Sequence, residues 1–223
     1  MKVLGHRGCK YEVENTIKSF ERAFELGADG VELDTQITKD GVIVVSHDEN
    51  LKRVFGVDFN IREHTIIELE EISKDNETVP TLESVLEIAK SKNKIVDVEL
   101  KNPLDLKPVS KIVQGFQYDG FFISSFYHKA MIEGKEMFPR LKFAFLYAHV
   151  PEDISIYARK VDLLKPEVEF VTEEYRSYAS ITIPWTVNEK EDFERLFALG
   201  IFAVISDYPD RILKFIEEKA YTK

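Results

Sequence analysis

The 223-residue sequence predicts a parallel α/β barrel built from eight β–α units. Three observations carry that prediction. Short β-branched and aromatic runs alternate with helical patterns along almost the whole chain, and such alternation argues for a parallel sheet flanked by helices. Eight such units favour a closed (β/α)₈ (TIM) barrel over an open doubly wound sheet, and the length is near the roughly 250 residues typical of one. Neither a GxGxxG nor a GxxxxGK[ST] loop is present, which weakens the nucleotide-binding alternatives.

Residues 3–5 read as the first strand. Residues 14–26 follow with apolar side chains at Ile17, Phe20, Ala23, Phe24 and Leu26, a helical spacing, and Gly27 stops them. Residues 31–37 form the second strand. Lys39-Asp40-Gly41 makes a turn, and residues 42–45 run back as its second arm. From about 48 to 80 the pattern breaks into charges and short apolar pieces. This stretch reads as a small insertion over one face, with a short helix at 66–72. Thr81 then caps a helix reaching about residue 91. Strands are expected at 95–100, 121–124, 142–146, 162–164, 181–187 and 202–205. Helices are expected at 106–116, 129–137, 153–159, 167–177, 190–199 and 210–218. One domain over residues 1–223, carrying the 48–80 insertion, is the simplest organisation.

Composition narrows the function. Hydrophobic residues are 44% and charged residues 31%, which is globular rather than disordered. Thirty Lys and Arg against forty Asp and Glu leave a formal charge of −10, which argues against a nucleic-acid binder or a polybasic membrane-surface protein. The single cysteine, Cys9, allows no disulfide framework or CxxC pair within the chain. The N-terminus reads as too short and polar for a signal peptide, and no apolar run approaches the ~18 residues of a membrane span. A cytoplasmic location and no stable membrane insertion are therefore expected, with the oligomeric state open.

Chemistry is concentrated where polar residues interrupt apolar strands. In 31–37, Val31, Leu33 and Ile37 share one face and Glu32, Asp34 and Gln36 the other. In 95–101, Val96, Val98 and Leu100 oppose Asp97, Glu99 and Lys101. In a barrel the charged face points inward, where charge is costly unless paired or bound to a metal. Glu32, Asp34 and Glu99 can thus converge near the strand ends that carry barrel active sites. Their all-oxygen donors suit Mg²⁺ or Ca²⁺. The alternative is a buried ion cluster in which Glu32 and Glu99 pair with Lys101 and Arg7.

The histidines favour the metal-site reading. His6 and Arg7 follow the first strand, and His47 follows the return arm of the second, so both histidines fall at the same mouth. Two histidines can act as general base and general acid on opposite sides of a reacting phosphorus. Arg7 and Lys101 can hold anionic phosphate oxygens. Phe126 and Trp185 follow or end later strands and are candidates for a substrate wall, with plain packing as the competing reading. His64, His128 and His149 read as loop or surface residues, and Cys9 as a bystander.

These residues lie in segments that together resemble the glycerophosphodiester phosphodiesterase family. The carrying segments begin with Gly5-His6-Arg7-Gly8, Glu14-Asn15-Thr16 and Gly27-Ala28-Asp29-Gly30-Val31-Glu32-Leu33-Asp34. They continue through Val44-Val45-Ser46-His47-Asp48 with Leu51 and Arg53, Pro80-Thr81-Leu82-Glu83 and Glu99-Leu100-Lys101. Ser124-Ser125-Phe126, Trp185-Thr186-Val187-Asn188 and Ser206-Asp207-Tyr208-Pro209 complete the series, which covers nearly the whole chain. The resemblance implies a TIM barrel with a small insertion after the second β unit. It implies a divalent cation (Mg²⁺ or Ca²⁺) on Glu32, Asp34 and Glu99, acid/base chemistry by His6 and His47, and phosphate contacts from Arg7 and Lys101. The implied reaction converts a small-molecule glycerophosphodiester to sn-glycerol 3-phosphate and an alcohol. Attack by water or by the glycerol hydroxyl, and which histidine is the acid, stay open. So do a lysophospholipase D or phospholipase C-like activity on a lipid phosphodiester and a non-catalytic phosphodiester-binding barrel.

Overall fold

A computed structural model describes residues 1–220; the last three residues of the expected 1–223 unit lie outside the described residues. In chain order the elements are β1 (Lys2–His6), α1 (Ile17–Glu25), β2 (Gly30–Ile37), β3 (Ile43–Val45), α2 (Lys52–Phe55), α3 (Ile66–Glu70), β4 (Ser73–Lys74) and β5 (Glu77–Thr78). They continue as α4 (Leu82–Ser91), β6 (Ile95–Leu100), α5 (Leu106–Gly115), β7 (Phe121–Ser125), α6 (His128–Met137) and β8 (Lys142–Tyr147). The chain closes with α7 (Ile154–Lys160), β9 (Leu163–Pro166), α8 (Lys190–Leu199), β10 (Ala203–Ser206) and α9 (Pro209–Ala220).

The main sheet runs β10-β1-β2-β6-β7-β8-β9, every neighbour parallel, with β3 antiparallel on the far end of β2. Residues 182–187 join its two edges. On one side the Ile183 and Trp185 amides donate to the Leu164 and Pro166 carbonyls (2.8 and 3.1 Å). On the other, Val187 N donates to Ile205 O (2.8 Å) and Ile205 N to Pro184 O (2.9 Å). This segment is the expected seventh strand, but it forms isolated bridges instead of a regular ladder. Pro184 supplies no N–H at its middle, so continuous pairing is impossible there.

Two other expectations need correction. The predicted helix at 167–177 is a pair of 3₁₀ segments, Val168–Phe170 and Glu173–Ile181. Arg195 on α8 donates to the carbonyls of Val168 (2.9 Å) and Val171 (2.5 Å), and Val168 O also accepts the Val171 amide (3.2 Å), the i to i+3 bond of a 3₁₀ turn. The first helix starts at Ile17, not at residue 14. Asn15 is left-handed (φ 58°), and Thr16 caps the helix by accepting from Ser19 N (3.2 Å).

Strand alternation sorts the core into two layers. Val3, Val31, Leu33, Val96, Val98, Ile123, Phe143, Phe145 and Val204 face outward and pack with helix residues such as Phe20, Val85 and Phe193. Leu4, Phe122, Ala144, Ile183, Ala203 and Ile205 fill the barrel interior. Burying one such large side chain stabilises the fold by about 1.5–3 kcal/mol. The insertion has a third cluster, Val44, Leu51, Ile61, Leu69 and Val79, which positions α2 and α3 beside β3. Beyond the expected short helix it also holds α2, a 3₁₀ turn at Ile61–Glu63 and the β4–β5 hairpin.

Candidate active site

Parallel pairing brings the C-terminal ends of all the barrel strands to one mouth. His6 neighbours Glu32 in the β1–β2 register, and Asp34 neighbours Glu99 in the β2–β6 register. The expected inward face is correct: Glu32, Asp34 and Glu99 are buried, and one carboxylate oxygen of each lies within 4.8 Å of the others.

The β1–α1 turn sets the first cationic residue. Gly8 has φ 93°, and a Cβ there would sit 2.1 Å from Ser19 Oγ, so the backbone must approach α1 closely. Arg7 is held left-handed (φ 51°), with its carbonyl accepting from Ser19 Oγ (3.0 Å) and its amide donating to Glu32 Oε2 (3.1 Å). Its guanidinium reaches Asp34 (3.2 Å) and Glu14 (3.0 Å). Lys101 Nζ lies 3.3 Å from Asp34 and 2.7 Å from Glu99.

The ion-cluster alternative accounts for Asp34 and Glu99 but not for Glu32. Burial would raise the Asp34 carboxyl, yet Lys101 and Arg7 hold it below its ordinary value. Burial and the neighbouring Asp34 instead push Glu99 up, and they push Glu32 up to about 8. Among the described residues no Lys or Arg side chain forms an ion pair with Glu32; its side-chain partners are the Arg7 amide and His6 Nε2 at 3.9 Å. Glu32 thus adds a third carboxylate whose ionised form no Lys or Arg ion pair stabilises, on a purely oxygen donor set, which fits a hard divalent cation.

Both histidines are oriented by carboxylates. His6 Nδ1 is 2.8 Å from Asp207 Oδ1, and Asn188 Nδ2 donates to Asp207 Oδ2 (3.0 Å). Burial lowers the His6 pKa, but Asp207 and Glu32 outweigh it and leave the ring above its ordinary value. His47 Nδ1 is 2.6 Å from Asp48 Oδ1. The Ser46 amide donates to Asp34 O (3.0 Å), which fastens the His47 loop to β2. In each ring a carboxylate partner on Nδ1 makes Nδ1 the donor and leaves Nε2 with the free lone pair.

His6, Glu32, Glu99, Leu146, Lys165, Trp185 and Ile205 line one small cavity. Trp185 Nε1 donates to the Lys165 carbonyl (3.0 Å), and the Phe126 ring meets it edge-on at 5.8 Å. Phe126 is about half exposed at the rim. Sequence reasoning gave no role to Asp207, Asp48 or Lys165. The first two directly follow strand-end landmarks, a usable signal. Lys165 lay just beyond the short strand expected at 162–164; β9 extends to Pro166 and carries its side chain inward. There Lys165 Nζ pairs with Asp97 (2.5 Å) and Ser124 Oγ (2.9 Å), all three buried.

Residues 6–211 match the model of the glycerophosphoryl diester phosphodiesterase family. The chain belongs to that family. A glycerophosphodiester phosphodiesterase of Caldanaerobacter subterraneus is 33% identical over 97% of this chain and 98% of its own. The crystal structure of a glycerophosphodiester phosphodiesterase from Thermotoga maritima shares 31% identity with a TM-score of 0.81, covering 95% of this chain and 96% of that one. An Oleispira antarctica phosphodiesterase, in complex with the product sn-glycerol-3-phosphate, shares the fold (TM-score 0.87, 23% identity, 97% of each chain). As a member of this glycerophosphodiester phosphodiesterase family, the protein is an enzyme, and the buried acidic cluster of its TIM barrel is able to hold a divalent cation. Among the described residues no helix is long and apolar enough to cross a membrane.

Proposed function

We propose that this enzyme hydrolyses small-molecule glycerophosphodiesters to sn-glycerol 3-phosphate and an alcohol, with a divalent cation on Glu32, Asp34 and Glu99 and with His6 and His47 as the proton-transfer pair. One observation carries the reading: among the described residues buried Glu32 has no Lys or Arg ion-pair partner and lies directly beside a histidine already oriented by Asp207. The product found with the Oleispira relative supports the same substrate class.

A cation bound there would neutralise phosphate charge and acidify a hydroxyl, the two services divalent ions supply in phosphodiester cleavage. The rest is done by the chain. Arg7 and Lys101 offer their N–H groups to the non-bridging phosphate oxygens, and each is restrained by carboxylates so that little ordering remains to be done on binding. In the net reaction a new P–O bond forms from water and the P–O bond to the alcohol breaks. One histidine accepts the water's proton at Nε2, and the other gives its Nε2 proton to the departing alkoxide. Asp207 and Asp48 stabilise whichever ring is charged. Trp185 and Phe126 form an apolar wall beside the reacting group. The chain works as one domain, with residues 48–80 covering the active-site face.

The test is release of glycerol 3-phosphate from glycerophosphocholine and glycerophosphoethanolamine with Mg²⁺, Ca²⁺ or EDTA. Metal-dependent release abolished in His6→Ala supports the reading. A folded protein that releases none with either ion overturns it.

A further inference from the structure

The insertion's first helix sends one side chain back to the mouth. Arg53 on α2 makes a two-pronged contact with Glu14, Nη1 to Oε2 at 2.8 Å and Nη2 to Oε1 at 2.7 Å. Its Nε donates to Asp48 Oδ2 at 2.5 Å. Glu14 is one of the two carboxylates that hold the Arg7 guanidinium, the other being Asp34, and Asp48 is the one that holds His47 Nδ1. A single guanidinium therefore joins the supports of two groups that come from different β–α loops.

Among the described residues Arg53 is the side chain that links Glu14 to Asp48 directly, while Arg7 keeps a second contact with Asp34 and the Ser46 amide ties the His47 loop to β2. Glu14 lies in the loop before α1, and Asp48 opens the insertion. Without the Arg53 guanidinium between them, the two half-buried carboxylates would repel and lose their common anchor, loosening the Glu14 support of Arg7 and the Asp48 support of His47. The planar fork of arginine can satisfy both at once, whereas a lysine ammonium is a point charge. The apolar cluster of the insertion anchors the start of α2. Leu51, at its start, is buried with Val44, Ile61, Leu69 and Val79, and left-handed Gly56 (φ 76°) ends the helix. Arg62 ties the insertion on another side to buried Asp105.

We propose that Arg53 is a positioning residue that sets Arg7 and His47 in register with each other, and that this is the part the insertion plays in the reaction. The proposal rests on the roles given above to Arg7 and His47. Through Glu14 it acts on substrate binding, and through Asp48 on proton transfer.

The test compares wild type with Arg53→Ala, Arg53→Lys, Glu14→Gln and Asp48→Asn, using glycerophosphocholine and Mg²⁺, with melting temperatures taken alongside. Arg53→Ala is expected to lose roughly 10- to 100-fold in kcat/KM, part of the 10²–10⁴ that a positioned acid or base supplies. Glu14→Gln is expected to act mainly on KM and Asp48→Asn mainly on kcat, with Arg53→Ala showing both. Arg53 is half exposed, so its melting temperature should stay near wild type. Added guanidinium chloride at millimolar concentration should restore part of the Arg53→Ala activity, and Arg53→Lys should fall between. Wild-type kinetics in Arg53→Ala overturn the proposal. So does a loss of activity that tracks a fall in melting temperature and is rescued neither by guanidinium nor by lysine. An inactive wild type would instead overturn the functional reading itself.

Discussion

Replacing Lys165 by Met tests the charge arrangement beneath the active site most directly. The Lys165 ammonium and the Asp97 carboxylate are 1% and 0% exposed and 2.5 Å apart. Ser124 Oγ donates to Asp97 Oδ1 (2.7 Å) and accepts from Lys165 Nζ (2.9 Å). Burial opposes the charge on Lys165, but Asp97, with Glu32 and Glu99, keeps it protonated; burial pushes Asp97 up while Lys165 pulls it back. Lys165→Met keeps most of the volume and removes the charge, leaving Asp97 buried and unpaired. Breaking one side of a buried pair costs about 3–5 kcal/mol. For a chain of this size each kcal/mol corresponds to about 2–4 °C, so the melting temperature should fall by about 6–20 °C. Removing both charges in Asp97→Asn/Lys165→Met should recover much of that loss, with a coupling of about 2 kcal/mol in the double-mutant cycle. Urea titration at pH 7 provides the free energies, read from midpoints at constant slope. A Lys165→Met protein within 1 kcal/mol (about one-third of the smallest expected loss) of wild type, or purely additive single changes, would refute the reasoning.

Further expectations concern the mouth. Glu32 sits near 8 in the folded protein against an ordinary 4.5, so the cation-free fold holds a proton that the unfolded chain releases. That contribution is complete below about pH 4.5 and is lost as pH rises through 8. In EDTA the melting-temperature difference between wild type and Glu32→Gln should therefore shift against wild type from pH 5 to pH 8, and excess Mg²⁺ should reduce the shift; a constant difference would contradict it. His47→Ala should lower kcat by roughly 10²–10⁴ while calorimetry still detects cation binding; unchanged turnover would remove His47 from proton transfer. Gly8→Ala places a Cβ 2.6 Å from the Ser19 carbonyl carbon at φ 93°, so a loss of about 1–3 kcal/mol in urea titration is expected, and a neutral result would contradict the close approach.

The division between sequence and tertiary structure follows from the range of the interactions. Period-2 alternation is local, and it placed Glu32, Asp34 and Glu99 inward and Val31, Leu33 and Val98 outward, as the two core layers confirm. Strand–helix alternation likewise announced the barrel, because each β–α unit buries its own apolar stripe. The break in the seventh stave was legible in Pro184, which lies inside the expected strand, whereas the 3₁₀ segments before it were not, since their carbonyls meet Arg195 of a later helix.

At the site, the residue types and their strand-end positions were readable. Their pairing was not: the sequence alone allowed Glu32 to be neutralised by Lys101 or Arg7. Only the fold shows those cations committed to Asp34, Glu99 and Glu14, with Glu32 left to face His6. The same holds for the Asp207 support of His6, 201 positions away, for Lys165 under the acidic cluster, and for Arg53 between Glu14 and Asp48. Local pattern determines which face a side chain takes, because backbone geometry repeats every two residues in a strand. Which charge meets which is decided by strand register and loop closure across the barrel, and those distances exist only once the chain has folded.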